Sequence, residues 1–120
     1  MSRINPTVAP YLAITAGPES GNKRTITIQA KDSDHKNQTE RFRVRTWIST
    51  SDYGPPSAAG HSVSPVTGEL QEVTPDADYE IISDANGKVE IDITIGDPAS
   101  RYIMAETDGR IHSSGEVEWT

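Results

Sequence analysis

Asp32, Asp34 and His35 stand within four residues of one another, and Asp76 with Asp78 repeats the Asp-x-Asp spacing. A calcium ion collects roughly six to eight oxygen ligands and often takes them from closely spaced loop carboxylates. Neither cluster continues into an EF-hand loop, which needs Gly and a closing Glu at fixed offsets. Solvated turn carboxylates are the expected role, and no metal or cofactor is expected. His35, His61 and His112 are far apart in sequence and lack the paired spacing of a zinc site. Glu90 and Asp92, two residues apart, have the side chains for acid/base work, but one strand supplies no pocket. No Gly-x-Ser-x-Gly elbow and no glycine-rich phosphate loop occurs. With no cysteine, thiol nucleophiles, disulfides and thiolate metal sites are excluded together. No catalytic residue is assigned, and the chain is expected not to be an enzyme.

Other residues have binding chemistry instead. Arg41, Arg43, Arg45 and Trp47 occupy alternate positions of one stretch, about 6.8 Å apart if it is extended. Arg and Trp are enriched at the hot spots of protein interfaces, so this stripe is a candidate docking face. Its plainer role is a solvated sheet face paired to Glu90, Asp92 or other strand carboxylates. Nucleic acid is disfavoured as a partner, because 11 basic and 18 acidic residues leave a net charge of −7. Tyr53, in Tyr-Gly-Pro-Pro, and the apolar Ile4, Val8, Tyr11 and Leu12 complete the candidate contacts with Arg43 and Arg45. An N-terminal arm can order on a partner surface. A frayed terminus, or the first strand of a sheet, is the alternative for the same residues.

These side chains need strands to hold them. "RTITIQAKD" puts Ile26, Ile28 and Ala30 on one face, and "ERFRVRTWIS" puts Phe42, Val44, Thr46 and Ile48 opposite the arginines. Parity sets Trp47 with the arginines, yet burial is expected for it. "DYEIIS", "KVEIDITI", "RYIMAETD" and "RIHSSGEVEW" are further strands, and a possible edge strand covers residues 11 to 15. Asn86-Gly87 and Asp108-Gly109 supply positive φ for tight hairpins. In "KVEIDITI", Lys88 is a counter-charge near Glu90 and Asp92. Residues 50 to 78 hold four prolines and three glycines, with faint alternation in "HSVSPVTGELQEV". A loop of that length is usually functional or conceals short edge strands. No helical spacing is found.

The apolar fraction of 33 % with 9 Gly and 8 Pro fits a turn-rich β protein better than a helical one. At 120 residues the chain is expected to form one domain, with an arm over residues 1–20 and a β-sandwich over 21–120. "MSRINPTVAPYLAIT" holds no apolar run of signal-peptide length, and no run of about 18 apolar residues occurs, so a soluble cytoplasmic product without a membrane partner is expected.

Three pieces resemble the bacterial and phage Ig-like domains of the invasin type. "TITIQAKDSDHKN" is similar to their opening strand with its acidic end and polar turn. "ISDANGKVEIDIT" is similar to their most regular motif, an apolar strand end followed by Thr-Asp-x-x-Gly-x-Val/Ala-x-apolar, with Ser83 where Thr is usual. "RYIMAETDGRIHSSGEVEW" resembles the closing hairpin, with an aromatic two residues before a buried apolar position and an Ala three after it. The resemblance covers residues 24 to 120 and implies an Ig-like antiparallel β-sandwich of about seven strands. Longer spacing in 50 to 78 leaves strand order open there.

Stand-alone Ig-like chains with an N-terminal arm resemble capsid decoration, or cement, proteins of tailed phages. The resemblance implies a structural virion protein, assembled in the host cytoplasm onto the outer surface of a phage capsid. Its partner would be the major capsid protein, with a trimer or dimer of the chain itself in view. A tail or head-fibre module binding host glycans through residues 50 to 78, and a bacterial adhesin domain, are the alternatives.

Overall fold

In a computed structural model the chain is all-β, with nine strands and no helix among the described residues. The structure describes residues 11–31, 36–37, 41, 43–57, 61–67, 69–74, 78–96, 98–107 and 109–120, with backbone alone over 65–74. The strands are β1 (Tyr11–Ala16), β2 (Lys23–Lys31), β3 (Arg43–Ser49), β4 (His61–Thr67), β5 (Glu69–Thr74), β6 (Asp78–Ile82), β7 (Lys88–Ile95), β8 (Ala99–Thr107) and β9 (Arg110–Trp119). They form two antiparallel sheets, one in the order β1-β2-β7-β4 and one in the order β5-β6-β3-β8-β9.

Alternation makes the two sheets stack. Every second side chain of β2 and β7, from Ile26, Ile28 and Ala30 to Val89, Ile91, Ile93 and Ile95, is buried. They join one core with Val44 and Ile48 of β3, Tyr79 and Ile81 of β6, Ile103 and Ala105 of β8, and Val117 and Trp119 of β9. Each isoleucine taken fully out of water stabilises by about 1.5–3 kcal/mol, and truncating one such as Ile91 to Ala costs about 2–5 kcal/mol. The Trp119 indole crosses between the sheets and donates to the Ile93 carbonyl at 3.3 Å. Arg24 locks the same corner, with its guanidinium 5.9 Å from the Trp119 ring and its Nε donating to the Glu118 carbonyl.

The count of about seven strands is too low by two among the described residues. Both additions, β4 and β5, lie in the proline-rich segment of residues 50 to 78, and both are edge strands. An edge strand pairs on one side only, so it tolerates Pro65 at a ladder position opposite Ile91 and carries little alternation. The register slips between Pro65 and Thr67 as the chain leaves one sheet, and two residues later, at Glu69, β5 begins in the other.

The possible edge strand over residues 11 to 15 is present as β1 and is one residue longer. Tyr11–Ala16 pairs with β2 along its whole length, from Tyr11 opposite Lys31 to Ala16 opposite Ile26. Leu12 joins the core, 3 % exposed, so the sheet begins by Tyr11.

The turn at Asn86-Gly87 is not a hairpin. β6 pairs with β3 and β5, whereas β7 pairs with β2 and β4, so the turn carries the chain from one sheet to the other. Its geometry is that of a tight reversal all the same. The Asp84 amide donates to the Lys88 carbonyl, and the Asp84 carboxylate accepts from the amides of Asn86 (2.9 Å) and Lys88 (3.0 Å). Gly87 has φ 70°, while Asn86 is not among the positive-φ residues. At the other expected reversal β8 and β9 do make a hairpin, with Thr107 opposite Arg110 and Gly109 at φ 76°.

Candidate functional site

The site is built on the outward face of the five-stranded sheet. Val44, Thr46 and Ile48 point into the core, so Arg43, Arg45, Trp47 and Ser49 of β3 point away from it. Arg43 and Arg45 are exposed as that parity demands, yet Trp47 and Ser49 are buried. The cause is the segment of residues 50–57, which folds back across the face. The Ser57 amide donates to the Ile48 carbonyl at 2.8 Å, the Ser51 amide to the Ser49 hydroxyl at 3.2 Å, and the Gly54 amide to the Ser51 carbonyl at 3.0 Å. The Trp47 Nε1 donates to the Gly54 carbonyl at 2.9 Å. The Ser113 hydroxyl of β9 donates to Asp52, so the loop reaches from β3 over β8 to β9. Beneath it, Trp47 lies in register with Met104, and neither belongs to the main core cluster. Trp47 is thus buried as expected, but on the outer side and without a bulge in β3.

Gly54 is where the loop comes closest. A Cβ there would meet the Ser51 hydroxyl at 2.1 Å and the Ser49 hydroxyl at 2.6 Å. The residue before it, Tyr53, has φ 55° and a side chain 61 % exposed. A bulky residue in the left-handed region costs about 1–2 kcal/mol. Strain of this kind persists where surrounding bonds over-determine the backbone, and it clusters at functional sites. The anchors at Ser51, Asp52, Gly54 and Ser57 supply that determination, and the outcome is an aromatic ring held in water.

Charge pairing fixes the rest of the face. Asp78 of β6, whose side chain is 4 % exposed, receives both ends of the Arg45 fork, at 3.1 Å from Nε and 2.6 Å from NH2. The hydrogen bond with Asp78 raises the Arg45 pKa above its ordinary value, with Glu106 and Glu80 adding attraction. The same guanidinium sits 5.3 Å from the Trp47 ring. Arg43 is held more loosely, 3.6 Å from Glu80, with side chains 70 % and 43 % exposed. Arg43, Arg45, Glu80, Glu106, Thr107 and Gly109 line an open groove of about 340 Å³. Along β3 the face therefore runs from the groove at Arg43 to the loop over Trp47, a span of about 13 Å.

Of the candidate contacts, Arg43 and Arg45 lie on the outward face of β3, and Tyr53 lies in the loop that covers the Trp47 end of the same face. Tyr11 and Leu12 lie on β1 in the other sheet, and Leu12 is occupied in the core. Ile4, Val8 and Phe42 lie outside the described residues, as do Asp32, Asp34, His35 and Asp76. Arg41 donates to the Ser83 carbonyl at 3.3 Å, whereas Arg43 and Arg45 are paired to carboxylates, but not to Glu90 or Asp92. Those belong to the other sheet, where Asp92 accepts from Thr25 Oγ1 at 2.6 Å and lies 3.7 Å from Lys23, and Glu90 faces Thr27. Lys88 stands opposite Gln29, and the counter-charge of Asp92 is Lys23. Among the described residues no three His, Cys, Asp or Glu side chains are grouped to hold a metal ion. Asp78 and Met104 were missed as parts of the face, and Gly54 was named only as the neighbour of Tyr53. Gly54-Pro55-Pro56 carried the one signal, a turn beside an aromatic.

Comparison with protein-family models, with curated proteins and with solved structures finds no match to this chain.

Proposed function

We propose that this chain is a non-enzymatic Ig-like binding module, a decoration protein that docks on the outer surface of a phage capsid and stabilises the shell. The observation that carries the binding role is the locked loop: Trp47 and its Gly54 bond hold Tyr53 outward, on the same face as Arg43 and Arg45. Aromatic and arginine side chains are the usual interface anchors, and Arg45, clamped by Asp78, loses little entropy on docking. Capsid and virion enter through the sequence resemblance of residues 24 to 120. A partner that binds assembled shell and not loose subunits shifts the equilibrium toward the shell by mass action.

The Ig-like reading of the fold draws support from strand positions. A variable-type Ig domain lays nine strands out as ABED on one sheet and GFCC′C″ on the other. β1-β2-β7-β4 and β9-β8-β3-β6-β5 can be laid onto those two rows. The route differs in the middle: after position C this chain fills D, then C″, then C′, before reaching E. That is the segment whose order the sequence left open.

The experiment compares capsids assembled with and without this chain under heat and low salt. Decorated shells are expected to survive to higher temperature. Equal survival of the two, with no chain recovered on the shell, would overturn the proposal, and glycan binding by the purified protein would move it to the fibre alternative.

A further inference from the structure

His112 is a titratable group for which the docking face has no use. It lies on β9 opposite Ala105, and its ring packs against Tyr11 of β1, centroids 6.3 Å apart at 44°. β1 belongs to the other sheet and runs against β9 and β8, so this contact closes the seam between the two layers. The His112 Nδ1 is shut off from solvent and has no hydrogen-bond partner among the described residues. The charge that acts on the ring is Arg110, a like charge on the same strand. From β1 the ring meets Tyr11, whose ladder neighbour Lys31 on β2 is bonded to Asn37, and across the β8 ladder it meets Ala105.

We propose that Tyr11 and His112 form a pH-sensitive clasp that holds the start of β1 against β9 at neutral pH and loosens it in mild acid. Neutral imidazole suits the site better than imidazolium, because an enclosed Nδ1 lone pair without a donor costs less than an enclosed N–H of a cation without an acceptor. The imidazolium carries a proton on both nitrogens. Protonation would place an N–H on the enclosed Nδ1 without an acceptor, and a second positive charge beside Arg110. Both are relieved by moving the ring into water, and the ring cannot move without losing Tyr11. Burial and Arg110 hold the His112 pKa below its ordinary value, which sets the loosening below neutrality. Leu12 stays anchored in the core, so within the strand the opening is confined to Tyr11.

Hydrogen exchange of the 11–16 segment, corrected for intrinsic rates, tests this on the full chain between about pH 7.5 and pH 5. Protection at Tyr11 is expected to fall about tenfold relative to the rest of β1 and to β7, with the midpoint of the His112 imidazole resonances in NMR. His112→Phe keeps a ring against Tyr11 and is expected to abolish the pH dependence. Unchanged protection, the same loss in His112→Phe, or a midpoint that follows His61 instead would each overturn the clasp. If the variant fails to fold, the comparison of midpoints in the wild-type chain decides alone.

Discussion

The Trp47 indole donates to the Gly54 carbonyl at 2.9 Å, and this bond fixes a loop over a face that strand parity would leave open to water. Gly54→Ala should be poorly tolerated, because the added carbon meets two serine hydroxyls and the Ser51 carbonyl at 3.0 Å. A loss of about 1–3 kcal/mol is expected, the usual cost of overpacking. Trp47→Phe keeps an apolar ring but leaves the Gly54 carbonyl without its donor. Urea unfolding measures both, and exchange at Ser51 and Gly54 should rise in both.

Removing the two partners of the Arg45–Asp78 pair should not cost the same. Asp78 is buried and Arg45 is about half exposed. Arg45→Met leaves a buried carboxylate uncompensated, costing about 1–3 kcal/mol. Asp78→Asn leaves Arg45 in contact with water and with the Trp47 ring, and should cost clearly less. Chemical denaturation of the two single variants reads the difference.

At the corner between β6 and β7, Gly87 holds φ 70°. Gly87→Ala should cost about 1–2 kcal/mol, the penalty of a Cβ in the left-handed region. Gly87→Asn should cost less, since Asn tolerates that region. Thermal unfolding of the pair, side by side, checks the order.

Stability should fall in mild acid. Burial first, then Arg110, lowers the folded-state pKa of His112. As pH falls through about 6.5, the unfolded chain takes up this proton before the folded chain does. The contribution is therefore complete above the unfolded value and is lost as pH drops toward the folded one. Urea midpoints across this range should decline for the wild-type chain and decline less for His112→Phe.

Much of the scaffold was legible because period-two alternation leaves a strong signal where one face is buried. "KVEIDITI" and "RTITIQAK" are such stretches, and Val89 to Ile95 and Ile26 to Ala30 go into the core as that period requires. Which strands pair was less legible. A Gly at positive φ marks a reversal, but Gly87 and Gly109 give the same signal although one joins two sheets and the other closes a hairpin. Edge strands β4 and β5 were hidden because pairing on one side makes weak demands on composition. The face itself was half visible. Arg43 and Arg45 follow from strand parity, whereas Asp78, Met104 and Gly54 come from three other chain segments brought in by the fold.

The central claim is that the face carrying Arg43 and Tyr53 docks on an assembled shell. Co-sedimentation with capsids measures it directly, using the full chain, Tyr53→Ala, Arg43→Ala and, as a control on the other sheet, Lys88→Ala. The two face variants should bind about tenfold or more weakly, the loss of a hot spot, and the control should bind as the parent does. Undiminished binding by both face variants would contradict the account.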